Sequence, residues 1–108
     1  MTIDAIRGAI ERRKATNPEW ADGMEACWAE LSDALAEDIG VTREFLLEDC
    51  GPEDYLLVTE VYDDVVLKTQ SREYVDLLRE SIRRFPDLAG EYDLDGNLDL
   101  AVRTMVRE

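Results

Sequence analysis

Apolar positions along the chain recur mostly at helical spacing. Ile3, Ile6 and Ile10 fall three and four apart, which predicts a first helix over 3–14 with Thr2 as its cap. Asn17-Pro18-Glu19 reads as a helix start: a capping Asn, Pro at the first helical position, then an acid. That second helix should run to Ile39 along a stripe of Trp20, Met24, Cys27, Trp28, Leu31 and Leu35, with Gly40 as its stop. Thr42 should cap a short third helix that turns Phe45, Leu46 and Cys50 inward and ends at Gly51. Pro52 opens a fourth, over 52–69. Its Tyr55, Leu56, Val58, Val61, Tyr62, Val65 and Val66 cover so wide a face that the helix should be central and largely buried.

Residues 55–69 have a competing reading. The runs YLLVTEVY and VVLKT are rich in strand-forming residues and could make a hairpin turning at Asp63-Asp64. The spacing 58, 61, 62, 65, 66 and the lack of a turn glycine favour helix. Ser71 then caps a fifth helix carrying Tyr74, Leu77, Leu78, Ile82 and Phe85, stopped by Pro86. After a polar loop, a sixth helix runs from Asn97 to Val106 with Leu98, Ala101, Val102 and Met105 on one side and Leu94 packing just before it. Five to six helices with short connections predict an all-α fold, a compact bundle or helical-hairpin stack, in a single domain spanning 1–108.

Charge changes this picture more than composition does. The formal net charge is −14, from 26 acids and 12 bases. Residues 1–14 are net +2 and residues 65–108 net −2, so residues 15–64 carry −14 with Arg43 as their only base. Like charge so concentrated repels itself and destabilises the compact state. It would repel nucleic acid and anionic membrane, and it would attract a basic protein and speed the encounter. No apolar run approaches the ~20 residues of a membrane helix, and the start lacks the apolar stretch of a signal peptide. A cytoplasmic protein is expected. Cys27 and Cys50 sit among apolar neighbours and read as small core residues, not a disulfide.

Catalytic chemistry finds few carriers. There is no histidine, which removes the usual general base and the commonest metal ligand. The thiols lie in the acidic half, which would raise rather than lower their pKa. The pairs Glu37/Asp38, Glu48/Asp49, Glu53/Asp54 and Asp63/Asp64 are adjacent, so on a helix they point apart. Glu91 to Asp99 spaces oxygen ligands like a calcium loop, with Gly96 at the turn. However, Val102 stands where the closing Glu is required, and an Asp-Gly turn capping the last helix explains the segment. Arg72, Arg79, Arg83 and Arg84 alternate with Glu73, Asp76 and Glu80 and read as intrahelical ion pairs. No enzyme, cofactor or metal is expected. Trp20 and Trp28, eight apart, should share a core-facing side of the second helix. Tyr55 and Tyr62 suit either the core or an aromatic anchor inside an acidic rim.

The stretch from Glu60-Val61-Tyr62-Asp63-Asp64 through Lys68-Thr69-Gln70-Ser71 to Tyr74, with the helix ending Arg84-Phe85-Pro86, resembles the small acidic immunity proteins of bacterial toxin systems, such as contact-dependent inhibition. The resemblance covers about half the chain. It implies a small cytoplasmic protein that blocks one cognate toxin domain, often a basic nuclease, by stoichiometric occlusion. The chain is also broadly similar to colicin nuclease immunity proteins in size, acidity and helicity, but it lacks their tyrosine-tyrosine-proline motif, so their binding residues do not carry over. The pool expected to hold the contacts is Asp33, Glu37, Glu44, Glu48, Glu53, Asp54, Tyr55, Asp63 and Asp64. Two other readings compete: a nucleic-acid mimic, as in phage anti-defence, and a helical module that dimerises through Trp20 and Trp28.

Overall fold

Helical periodicity carries through the described residues. The computed structural model describes residues 3–103 and 105; the expected Thr2 cap and the Val106 end lie outside the described residues. The described residues form eight α-helices and one π-helical turn, with no strand. These are α1 (Ile3–Ala15), α2 (Ala21–Glu37), α3 (Ile39–Glu44), the π turn (Phe45–Asp49), α4 (Pro52–Thr59), α5 (Tyr62–Thr69), α6 (Arg72–Ile82), α7 (Pro86–Tyr92) and α8 (Leu94–Val102). The all-α class is as expected; the count exceeds five to six because two segments break where one helix or a loop was expected.

The first break divides the segment 52–69. The Thr59 hydroxyl donates to the Leu56 carbonyl at 2.6 Å, competing with the helical ladder. The amides of Glu60 and Val61 then bond three residues back, to Leu57 and Val58. Val61 leaves helical geometry at φ −118°, ψ 14°. With α4 and α5 re-aimed separately, Tyr55, Val58, Val61, Tyr62, Val65 and Val66 are all buried. The segment is therefore central, as its apolar width predicts, and the hairpin reading is excluded. α5 packs on α2, α6 and α8, while α1 lies chiefly along α2.

The second break follows Pro86. α6 ends at Ile82, short of the expected stop after Phe85, and Pro86 instead opens α7, where its missing N–H is no loss. Asp93 at φ 49° links α7 to α8, so the segment expected as a polar loop is helical on both sides of one residue. Its carboxylate occupies the space a side chain at Gly96 would need. The calcium-like spacing thus winds as helix, and among the described residues no three acids converge on a metal-sized space.

Besides α8, which begins at Leu94 and not at Asn97, two helix starts differ from expectation. α3 begins at Ile39, capped by Asp38, whose carboxylate accepts from the amides of Gly40 (2.9 Å) and Val41 (3.4 Å). Thr42, expected as that cap, is buried inside α3 and donates to the Leu35 carbonyl at 2.7 Å, satisfying the end of α2. Gly40 is therefore not a stop; it lies in the first turn of α3. Asn17 to Trp20 form a tight turn rather than the first turn of α2, with the Trp20 amide on the Asn17 carbonyl at 3.0 Å and the Glu19 amide on the Asn17 side chain at 2.9 Å. α2 starts only at Ala21.

Candidate partner-binding surface

The positive first helix is the counter-charge to the acidic middle. Arg7 pairs with Asp49, Arg12 with Glu30, Arg13 with Glu60 at 2.9 Å, and Lys14 with Asp54 at 2.6 Å. Arg7 lies mid-helix and Arg12, Arg13 and Lys14 are consecutive in the last turn, pointing in different directions, so one helix reaches acids on α2, the π turn, α4 and the α4–α5 corner. Hydrogen bonding from Arg12 holds the Glu30 carboxyl below the usual carboxylate range. Glu60 also accepts from the Trp28 indole at 3.0 Å. Sequence reading did not single out Glu60. Its signal was indirect: an acid placed at the boundary of a β-branched run.

The expected contact pool divides over several flanks. Asp33 is exposed on α2 and held by Lys68 of α5 at 2.6 Å. Asp54 is half-buried and held by Lys14. Asp64, in the first turn of α5, is half-buried, and burial with neighbouring Asp63 pushes its carboxyl up. Glu37, Glu44, Glu48, Glu53 and Asp63 are exposed and have no ion-pair partner among the described residues. Glu53 borders a shallow groove with Lys14, Gly51, Pro52 and Asp54. Asp63 borders another, of about 410 Å³, with Thr59, Asn97 and exposed Leu100. The two grooves lie on different helix pairs, so the pool does not converge on one pocket.

Tyr55 departs from the pool. It is 0 % exposed, and Tyr62 is buried beside it, so neither is an interface anchor. The Tyr62 hydroxyl donates to that of Tyr55, Tyr55 bonds Ser81 at 2.8 Å, and Ser81 donates to the Leu78 carbonyl at 2.7 Å. Tyr55 also stacks on Phe85 with ring centroids 4.6 Å apart. Burial pushes both phenols up. Arg79 of α6 and Arg84 just beyond it bridge elements instead of pairing within the helix. Arg79 reaches Asp95 and Asp99 of α8, Glu80 takes Arg43 of α3 at 3.2 Å, and Arg84 donates to the carbonyls of Leu46 and Cys50.

Trp20 and Trp28 do not share a face. Trp28 is half-buried and tied to Glu60, whereas Trp20 is 62 % exposed because it precedes α2 and escapes its apolar stripe. Trp20 borders a groove of about 400 Å³ between α1 and α2, with Arg12, Thr16, Ala26, Cys27 and Glu30 around it. Both cysteines are free and buried, as expected, and burial pushes the Cys50 thiol up to about 12. No helix among the described residues is long and apolar enough to cross a membrane. Comparison with protein-family models, with curated proteins and with solved structures finds no match to this chain.

Proposed function

We propose that the protein binds and neutralises a basic partner, a toxin domain of the nuclease type, by occluding it stoichiometrically with an acidic surface. One observation carries this reading. After α1 has paired with four acids of the middle segment, Glu37, Glu44, Glu48, Glu53 and Asp63 still face solvent without an ion-pair partner among the described residues. Such carboxylates steer a cationic protein toward the surface and add charge-assisted hydrogen bonds to its Lys and Arg on contact. A nucleic-acid mimic would want its carboxylates in a long double row. Their scatter over separate flanks favours a protein that wraps more than one face. The resemblance to immunity proteins supplies the toxin, and the charge supplies the basic partner.

Co-expression with the toxin domain encoded beside it tests the reading. Cells should survive with the intact protein and die with a folded variant carrying Glu37→Gln, Glu44→Gln, Glu48→Gln, Glu53→Gln and Asp63→Asn. Death in the presence of soluble, folded, unaltered protein would overturn it.

A further inference from the structure

Trp20 is the one large aromatic that the fold leaves open among the described residues apart from Tyr92 at 49 %. Its placement follows from local chemistry. The turn Asn17–Trp20 ends on an N-cap with extended geometry (φ −89°, ψ 92°), which swings the side chain off the α2 stripe. The six-membered ring then settles over Gly23, where any side chain would collide with three of its carbons. One ring face therefore lies against the first turn of α2, and most of the remaining surface is open. The exposed acids Glu19 and Asp22 flank it in sequence and have no ion-pair partner among the described residues. Across the groove, Arg12 is engaged with Glu30.

We infer that Trp20 is a seat for an arginine side chain of the basic partner. This rests on the reading proposed above and names a contact within it. A planar guanidinium stacks on an indole face and still offers its edge donors to carboxylates. Trp20 supplies the face, and the exposed Glu19 and Asp22, its neighbours in sequence, supply acceptors. The apolar floor of Ala26 and Cys27 takes the methylene stem of the same arginine. Lysine fits less well, because a compact ammonium gains less from a flat ring and cannot fork to two acceptors. Charge complementarity selects the occupant. α2 contains five acids and no base; Glu30 and Asp33 are answered by Arg12 and Lys68, which leaves Asp22, Glu25 and Glu37 to attract a cation and repel an acidic partner.

Titration with hexa-arginine and hexa-lysine peptides in low-salt buffer, followed by the indole N–H resonances of the isotope-labelled protein, tests the seat. Hexa-arginine should shift the Trp20 resonance strongly and the Trp28 resonance little. It should bind about fivefold more tightly than hexa-lysine, as a cation–π contact at an exposed site implies. Trp20→Ala should remove that preference while leaving the circular dichroism unchanged. Gly23→Ala, which displaces the ring but suits a helix, should weaken it, and Trp20→Phe should restore part of it. If both peptides bind equally and Trp20→Ala changes neither, the seat is overturned while the basic-partner reading stands. If neither peptide binds, the basic-partner reading falls with it. If the Trp20 resonance moves on concentrating the free protein, the face is covered by a second copy and the seat is likewise overturned.

Discussion

At the residue scale the hydroxyl chain Tyr62–Tyr55–Ser81–Leu78 settles which tyrosines are structural. Each hydroxyl donates to the next, and the last donates to a backbone carbonyl, so no member is left unpaired in the core. Deleting the middle link takes the close acceptor from Tyr62, leaving it only the Ser81 hydroxyl at 3.4 Å, and takes the donor that Ser81 accepts from. Tyr55→Phe should therefore cost about 1–3 kcal/mol in urea unfolding. Tyr62→Phe removes only the outermost donor and should cost less; equal costs would refute the directional chain. Cys50 gives a second expectation. Its thiol is pushed up to about 12 chiefly by burial, with Asp54 adding. An unfolded thiol ionises near ~8.5. A folded pKa above the unfolded one gives stability that is complete below pH ~8.5 and is lost as pH rises toward 12. Thermal melts between about pH 8 and pH 11 should show Cys50→Ala losing less stability than the unaltered protein. The raised phenols of Tyr55 and Tyr62 leave a residual decline in both. Parallel pH curves would count against a thiol contribution.

Elements were legible in the sequence by period and obscured at their ends. The wide apolar face of 52–69 correctly marks the central segment, because burial follows from the count of apolar positions. Its break at Glu60-Val61 does not show in the period. The break depends on the Thr59 hydroxyl bonding backward, a local option open to any helical Thr, and on Arg13 and Trp28 holding Glu60, which is tertiary. Asp38 and Thr42 illustrate the same limit: both residue types cap helices, and the choice was made by whichever amides stood unpaired after α2 ended. Trp20 was misplaced onto the stripe because Asn17-Pro18-Glu19 fits a turn as well as a helix start. The candidate surface was legible as charge but not as geometry, since spacing along a chain says nothing of which acids α1 will reach. Asp38→Ala tests the assignment of caps: it should destabilise by about 1 kcal/mol through loss of two amide partners. Thr42→Val should also destabilise, through the freed Leu35 carbonyl, with no sign of a frayed α3 start in amide exchange. A frayed start in the Thr42 variant would restore the original cap.

For the whole molecule, two electrostatic effects oppose each other. Ion pairs from α1, Arg43, Lys68 and Arg79 tie elements together, and salt weakens them. The uncompensated acids repel one another, and salt relieves that repulsion. Most of the pairs are exposed, so each contributes little. The net of −14 is spread over a molecule whose longest extent is 36 Å, which keeps many like charges within a few screening lengths of ~10 Å. Repulsion should win. The melting temperature should rise between about 10 mM and 0.5 M sodium chloride, given that screening length shrinks from ~30 Å toward a few ångströms over such a range. Neutralising Glu37, Glu44, Glu48 and Glu53 to Gln should raise the melting temperature at low salt, and the gain should shrink at high salt. The same four changes remove carboxylates proposed to meet the partner, so stability and association should move in opposite directions in one variant. That opposition separates a functional surface from a merely solubilising one. A solubilising coat predicts unchanged partner binding in the stabilised variant, whereas a binding coat predicts a slower association rate with a steep salt dependence in the unaltered protein alone.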